Sequence, residues 1–255
     1  MQVLVCVKRV PMVGGQIVLT ADLRQLDTRL LGFTVSPHEE CAVEEAVRIV
    51  ERDGGSVTVL TLGPPESVEQ LRDMVAIGAH QAMLLETDGS EWGPIATASA
   101  IAGAVRCREE RDGPFQLLLF GNEAADTCDF QVGVRVAHLL GLPCITSAKH
   151  LELAGERLLA RRPHGRFEET FELALPAVVS VKEGINLPRY PSLPGRIRAK
   201  RAPVEVLRPV RTPDPVRTLG LRVPASRGRR AEVLGTGIEA VPALVAVLEE
   251  LGLLE

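Results

Sequence analysis

The feature that most constrains the fold is the regular alternation of short apolar runs and longer amphipathic stretches over the first 150 residues. Apolar, β-branched runs predict strands at 2–7, 56–62, 81–86, 115–120 and 144–147. Apolar residues at helical spacing predict helices at 37–53, 67–75, 94–108 and 129–140. Such alternation is typical of a doubly wound α/β fold, with a mostly parallel sheet, right-handed crossovers and helices on both faces.

Helix boundaries can also be predicted from single residues. Ser67 and Gln70 have the spacing of a capping box, Pro94 suits a first helical position, and Gly141 with Pro143 ends the fourth helix. Each of these residues marks the border between a helix and the strand next to it.

The pattern changes after His150. Two polar-apolar ribbons, 151–162 and 165–175, predict an antiparallel extension, and the run 175–181 predicts a further buried strand. We therefore expect one α/β domain over 1–207. The remainder, 208–255, reads as an extended arm with one terminal helix at 241–251, which would wrap a partner or the body of the domain because it can bury little surface alone.

Composition excludes several classes of protein. The 255 residues carry 29 basic and 33 acidic side chains, so the formal charge of -4 does not call for nucleic acid. Aromatic residues make up only 3%, which argues against a base-stacking platform. Five cysteines without C-x-x-C spacing predict neither disulfides nor zinc, and no apolar run reaches the roughly 20 residues of a membrane span. We expect a soluble protein of a reducing compartment, with no membrane insertion.

A stiff, proline-rich segment follows the last predicted strand. Its prolines remove backbone donors and fix φ, so 184–195 is expected to be neither helix nor central strand. Arg189, Tyr190, Leu193 and Pro194 combine the aromatic, arginine and aliphatic residues that anchor protein contacts. We interpret 184–200, with its basic end, as a recognition loop; the alternative is an ordinary connector.

The richest candidate ligand site follows the strand at 115–120. Ala124, Ala125, Asp126 and Thr127 come where free backbone N–H groups at a predicted helix start can face a phosphate. Because no Lys or Arg lies between Asn122 and Val134, the amides, the Thr127 hydroxyl and the helix dipole would have to supply the positive potential. Alternatively, Asp126 and Thr127 simply cap the helix. No catalytic residue, P-loop or complete dinucleotide fingerprint is found.

Four segments, in order, resemble the electron transfer flavoprotein beta subunit family. They are VCVKRVP at 5–11, SPHEECAVEEAVRIVE at 36–51, GNEAADTCDFQVGVRVAHLLGLP at 121–143 and LPAVVSVKEGINLPRYPSLPGRIRAK at 175–200. The resemblance implies a heterodimer with an alpha subunit that holds most of an FAD and receives the C-terminal arm. It also implies that dehydrogenases dock on the recognition loop, with Leu193 as the anchor.

The resemblance further assigns nucleotide contacts residue by residue. Cys6 would meet adenine, Leu62 ends the second strand of the site, and His38 would lie near the flavin ring, unless it is a solvated loop histidine. The full set of implied cofactor residues is Cys6, Ser36, Pro37, His38, Glu39, Leu62, Ala124, Ala125, Asp126, Thr127, Cys128, Asp129, Phe130, Gln131, Val132, Gly133, Val134 and Arg135. The family holds AMP here or, in its electron-bifurcating branch, a second FAD. AMP is favoured because TCDFQVGV only partly meets the bifurcating pattern GDTAQVGP.

Three functions follow, in order of preference. The first is a non-catalytic electron carrier subunit, in which FAD performs the redox chemistry, cytoplasmic in a bacterium or archaeon and mitochondrial in a eukaryote. The second is an ATP-cleaving enzyme of the adenine nucleotide α-hydrolase-like fold, but VKRVPMVGGQ replaces the expected pyrophosphate loop. The third is a stand-alone nucleotide sensor, for which the recognition loop and arm would have no use.

Overall fold

The computed structural model describes residues 1–12, 14, 17–224 and 232–254. The strands in these residues are β1 Gln2–Cys6, β2 Arg9–Pro11, β3 Phe33–Val35, β4 Ser56–Gly63, β5 Gln81–Glu86, β6 Leu117–Gly121, β7 Cys144–Ala148, β8 His150–Ala154, β9 Arg157–His164, β10 Phe167–Ala174, β11 Ala177–Val181 and β12 Val204–Leu207. The helices are α1 Pro37–Asp53, α2 Val68–Ile77, α3 Pro94–Asp112, α4 Val132–Leu140, α5 Leu193–Arg201 and α6 Val241–Glu250. Short 3-10 turns precede α2 and α6.

Seven strands form the central sheet in the order β12-β5-β4-β1-β6-β11-β7, and every neighbouring pair is parallel. The antiparallel strands β8, β9 and β10 form a separate three-stranded sheet, and β2 pairs with β3 in a small ribbon. The predicted doubly wound α/β fold with an antiparallel extension is confirmed. The chain builds outward from β1 through β4 to β5 and then returns to β6 on the other side of β1, so the winding reverses between β1 and β6.

The period-two pattern of β1 divides the core between the two faces of this sheet. Val3 and Val5 belong to an apolar cluster that contains buried residues of α1 and α2. Leu4 and Cys6 belong to a second cluster, which contains buried residues of α3 and α4. Neighbouring strands follow the same division, because parallel strands covered on both faces are apolar on both faces. Each fully buried aliphatic side chain of these clusters contributes about 1.5–3 kcal/mol.

The recognition loop contains a helix that sequence reasoning did not predict. Residues 182–192 form neither helix nor strand, as expected, but α5 begins at Leu193 and places Leu193 and Pro194 in its first turn. Proline is tolerated there because the first helical N–H groups have no intrahelical partner. The Ser192 hydroxyl accepts a hydrogen bond from the Gly195 N–H at 3.1 Å and caps the helix. The prediction that the loop has no helix over 184–195 is therefore wrong for its last three residues, 193–195.

Other boundaries differ for local reasons. The expected capping box at Ser67 does not form, because Ser67 has helical dihedral angles inside a 3-10 turn and its hydroxyl has no partner among the described residues. Helix α3 runs four residues past Arg108. Strand β12 was not predicted: it pairs with β5 at the edge of the sheet, so its place depends on residues more than 100 positions away.

The chain divides into two compact units, Met1–Gly220 and Leu221–Glu255. The first part of the predicted arm belongs to the first unit, where Arg208 pairs with Glu86 at 2.8 Å and Asp214 accepts hydrogen bonds from the first turn of α3. The second unit contains α6, whose apolar residues Val241, Leu244 and Val245 are exposed within it. None of the helices in the described parts of the chain has the length and apolar character needed to cross a membrane.

Candidate functional site

The winding reversal brings the carboxyl end of β1 beside that of β6, where open α/β sheets form their ligand crevice. Cys6 lies opposite Phe120 across this pair of strands. Gly121, at the end of β6, lets the first turn of α1 approach closely. A Cβ at Gly121 would lie 2.5 Å from Glu39 Cγ and 3.0 Å from the Glu39 backbone nitrogen. The absence of a side chain at Gly121 therefore sets the geometry of the crevice.

The first turn of α1 forms one wall of the crevice. Ser36 precedes the helix and donates its backbone N–H to Glu39 Oε2 at 3.3 Å. The Ser36 hydroxyl is buried and faces the Glu39 backbone N–H in a capping-box arrangement at the start of the helix. Burial raises the pKa of the Glu39 carboxyl to about 7, against the opposing effect of hydrogen bonds from Lys8 and Ser36. Glu39 can therefore carry or release a proton near neutral pH.

The thiol of Cys6 belongs to the same region but has no nucleophilic character. Burial, with a smaller contribution from Glu39, raises its pKa far above the ordinary value. Cys6 therefore places a small, uncharged side chain at the end of β1.

The loop of residues 122–131 forms the opposite wall. Buried Asn122 holds its base, because Oδ1 accepts from the Ser147 N–H at 2.9 Å and from the Ser147 hydroxyl at 3.0 Å. Ala125 to Thr127 form a turn, and Cys128 and Phe130 have positive φ values of 50° and 57°. These two φ values are incompatible with a right-handed helix, so α4 begins only at Val132. The prediction that Ala124, Ala125, Asp126 and Thr127 lie at a helix start, near Asp129, is therefore wrong.

The positive charge that this loop lacks comes from the end of β1. Lys8 Nζ lies 2.8 Å from the Asp126 carboxylate and 3.4 Å from Thr127 Oγ1. Sequence reasoning looked for a cation only within the loop and missed Lys8. The signal was present, because Lys8 comes two residues after β1 and the carboxyl ends of neighbouring parallel strands share one edge.

His38 connects the crevice with the segment after β11. Its Nδ1 accepts a hydrogen bond from the Glu183 N–H at 2.9 Å, and its Nε2 lies 3.3 Å from Glu123 Oε1. The side chain is only 14% exposed, so the alternative of a solvated loop histidine does not hold. Because Nδ1 is an acceptor, the ring proton lies on Nε2 and faces the Glu123 carboxylate.

A cavity of about 510 Å³ opens beside these walls. The β2–β3 ribbon lines much of it, and Ser36, Pro37 and Ala125 join that lining. Its volume lies within the range of small-ligand pockets. Three of the residues expected to contact a nucleotide therefore face one concave, mostly apolar space.

The remaining predicted contacts occupy several environments. Leu62 lies half-buried at the end of β4, at the same edge of the sheet, and Asp129 and Phe130 are exposed. In the first turns of α4, Val132 packs on the α3–α4 side of the core, and Arg135 turns back to Gln131 Oε1 at 2.8 Å. A Cβ at Gly133 would lie 2.9 Å from Ser180 Oγ, so Gly133 permits close packing of α4 on β11. Val134 is half-buried on the same helix.

The residues expected to contact protein partners lie elsewhere and differ in exposure. Tyr190 is 95% exposed and Leu193 is 72% exposed, and Pro194 is also exposed at the start of α5. Leu187, which sequence reasoning did not single out, is exposed as well. Arg189 is different, because its guanidinium pairs with Glu44 and Glu51 on α1. Within the described residues, no cluster of side chains has the composition of a metal site.

Comparison with known proteins identifies the class of protein to which the chain belongs. The sequence model of the electron transfer flavoprotein domain matches residues 26–211. The chain therefore belongs to the electron transfer flavoprotein family and groups with its beta subunits. This confirms the resemblance of its four segments.

Individual relatives agree with this. The chain is 37% identical to the electron transfer flavoprotein subunit beta of Bacillus subtilis over 177 residues, which cover 69% of this chain and 67% of the relative. It is 35% identical to the subunit beta of Mycobacterium tuberculosis over 211 residues, covering 80% and 78%. The human subunit beta is 32% identical over 260 residues and covers 99% of this chain and 98% of its own length.

Proposed function

We propose that this chain is the beta half of a heterodimeric electron carrier. In this role it binds AMP in the crevice between the ends of β1 and β6, helps to complete the FAD site of an alpha subunit, and docks dehydrogenases through Leu193. The observation that carries the proposal is that Ser36 and Pro37 line one cavity with Ala125, about 90 residues further along the chain, and with the β2–β3 ribbon. The names of the relatives, which describe beta subunits of electron transfer flavoproteins, support the role as one subunit of an electron carrier.

The charges of the crevice suit the phosphate of a nucleotide. Lys8 is held by Asp126 at 2.8 Å, and a phosphate could accept the same ammonium hydrogen bonds while Thr127 offers its hydroxyl. The buried Ser36 hydroxyl lies next to the apolar lining. A second FAD in place of AMP would use the same walls, and the identity of the released nucleotide distinguishes the two.

No residue of this chain is assigned a catalytic role. FAD, when bound, supplies the redox chemistry, and the protein contributes binding, orientation and electrostatics. The ATP-cleaving alternative receives no support from the crevice, where burial keeps the Cys6 thiol protonated, and VKRVPMVGGQ stands in place of the expected pyrophosphate loop.

The partners follow from the same assignment. The exposed apolar residues of α6 provide a surface for the alpha subunit, in line with the expected docking of the arm. Dehydrogenases are the proposed electron donors, and the compartment stays a prediction, cytoplasmic or mitochondrial according to the source.

The docking role can be tested with Leu193→Ala. An exposed leucine that fills a partner pocket loses about 2 kcal/mol or more of binding when truncated, so electron transfer from the dehydrogenase should fall by more than tenfold at low heterodimer concentration. Bound FAD should be unchanged. Leu139→Ala, which truncates another exposed leucine in the last turn of α4, outside the cavity lining and the recognition loop, is the matched control. Normal transfer by Leu193→Ala would overturn the docking assignment.

A further inference from the structure

One face of α1 holds the segment that leads to α5, the helix within the recognition loop. His38, Cys41, Glu44, Glu45, Arg48 and Glu51 recur once per helical turn, with Glu44 and Glu45 adjacent, and so form one side of the helix, which we call the α1 anchor face. Each of them contacts residues 183–189. The segment therefore follows α1 from the crevice at its N-terminus toward its C-terminal turn.

On the α1 anchor face, Cys41, Glu45 and Arg48 make ordinary polar contacts with residues 186 and 187. Asn186 Nδ2 donates to the Cys41 carbonyl at 3.0 Å and to Glu45 Oε2 at 2.8 Å. Arg48 Nη2 donates to the Leu187 carbonyl at 3.2 Å. These bonds fix the backbone just before Arg189.

The strongest contact is the one made by Arg189. Its backbone N–H and Nε both donate to Glu44 Oε2, at 3.1 and 2.9 Å, and Nη2 reaches Glu44 Oε1 at 3.2 Å. The same guanidinium binds Glu51 through Nη1 at 2.7 Å and Nη2 at 2.8 Å. One planar group is thus shared by two carboxylates in a bidentate geometry that lysine cannot reproduce.

Glu44 is the least replaceable part of this arrangement because its side chain is only 1% exposed. Burial by itself raises the pKa of the Glu44 carboxyl, but hydrogen bonds from Arg189 and Arg48 outweigh burial and hold that pKa below its ordinary value. A buried carboxylate without its cation is costly, so Glu44 favours the one loop position that brings Arg189 to it.

The other side of the segment offers less support. Arg189, Tyr190 and Ser192 line a cavity of about 840 Å³ that separates them from the end of α2 and the start of β5. Tyr190, directly after Arg189, is almost fully exposed. The position of 189–192 therefore depends mainly on α1, until α5 packs on α2 at Gly195, where a Cβ would lie 2.6 Å from the Ala76 carbonyl oxygen.

We infer that Arg189, held by the buried Glu44, is a positioning residue for dehydrogenase docking: it fixes where Tyr190 and Leu193 are displayed. This inference rests on the proposed docking function. A segment that is already ordered loses less conformational freedom when the partner binds, so the anchor favours docking without taking part in electron transfer.

The test uses the heterodimer, obtained by co-expression with the alpha subunit, and a dehydrogenase that reduces it. Arg189→Met and Glu44→Gln should each raise the KM for the heterodimer by about tenfold and leave kcat within about twofold. Glu44→Gln is the decisive variant, because a side chain that is buried in this way cannot touch the dehydrogenase. The KM of the double variant should not exceed that of the more impaired single variant, since both changes remove the same Arg189–Glu44 ion pair.

A local measurement accompanies the kinetics. Amide hydrogen exchange at 187–192 should become faster in both single variants, while exchange in the central sheet stays unchanged. Arg52→Met is the matched control: Arg52 lies on the same helix, pairs with Asp53 and, among the described residues, makes no hydrogen bond to 183–192. It should have the KM and the exchange rates of the unaltered protein.

The outcomes separate the inference from the function on which it rests. If Leu193→Ala raises KM and neither Arg189→Met nor Glu44→Gln does, docking stands and the positioning role is wrong. If none of the three raises KM, the docking function itself is contradicted. Should Arg189→Met fail to assemble, Arg189→Lys replaces it: an intermediate KM supports the inference, and a KM equal to that of the unaltered protein contradicts it.

Discussion

At the scale of single residues, Gly121 determines how closely the two walls of the crevice approach each other. Its α-carbon stands where the first turn of α1 passes the end of β6, with Glu39 and His38 both within contact distance of the missing Cβ. Lys8 then supplies positive charge from β1 to a loop that has none of its own. The crevice is therefore built from residues of three separate segments, and each has a steric or electrostatic reason for its identity.

Gly121→Ala provides the test at this scale. A Cβ 2.5 Å from Glu39 Cγ and 3.0 Å from backbone must push α1 away, so we expect a loss of about 1–3 kcal/mol in the free energy of unfolding. Nucleotide recovered with the purified heterodimer should also fall. Urea unfolding and nucleotide content measure the two effects.

Gly103→Ala is the control for this substitution. Gly103 is exposed in α3, and a Cβ added there would have no described atom within 4 Å beyond its own helix backbone and chain neighbours. Alanine is the better helix former, so this variant should gain up to about 1 kcal/mol. Equal stability of the Gly121 and Gly103 variants would contradict the proposed close approach.

At the scale of elements, the local sequence pattern predicts a helix or strand correctly wherever the residues of that segment alone determine its structure. The buried strands β1, β4 and β5 were predicted within one residue, because apolar runs between turn residues have few other solutions. Helix α1 was predicted with both ends, since Ser36, Pro37 and Gly54 are local signals.

The errors have two causes. The start of α4 depends on local backbone conformation, the positive φ at Cys128 and Phe130, whereas β12 depends on the distant free edge of β5. In the candidate site, the residues of each wall were predicted from the family resemblance, and their roles stay predictions. The Lys8–Asp126 pair and the Arg189–Glu44 pair could not be found from spacing, because their partners are 118 and 145 positions apart in sequence.

Helix α3 gives the prediction at this scale. Its N-cap, Gly93, has no side chain, and Asp214 acts in its place by accepting from the Ile95 N–H at 2.9 Å and the Ala96 N–H at 3.1 Å. Asp214→Ala should therefore cost about 1 kcal/mol of stability and speed amide exchange at Ile95 and Ala96. Asp53→Ala, which removes an exposed carboxylate just before a helix end, should change stability by less than about 0.5 kcal/mol. Unchanged exchange at Ile95 and Ala96 would show that Asp214 is not a cap.

At the scale of the whole molecule, helix α1 links the two surfaces that the proposed function requires. Its first turn forms a wall of the crevice, and its anchor face holds the segment that displays Tyr190 and Leu193. One helix thus connects the proposed nucleotide site with the proposed docking surface. The exposed apolar residues of α6 are the third surface in this proposal, assigned to the alpha subunit.

The most direct test of this account is the nucleotide content of the heterodimer. The chain is co-expressed with its alpha subunit, the purified complex is denatured, and the released nucleotides are identified and counted. We expect one FAD and one AMP per heterodimer. Two FAD molecules without AMP would replace the AMP assignment with the bifurcating alternative, and a complex with no adenine nucleotide besides a single FAD would contradict the nucleotide site between β1 and β6.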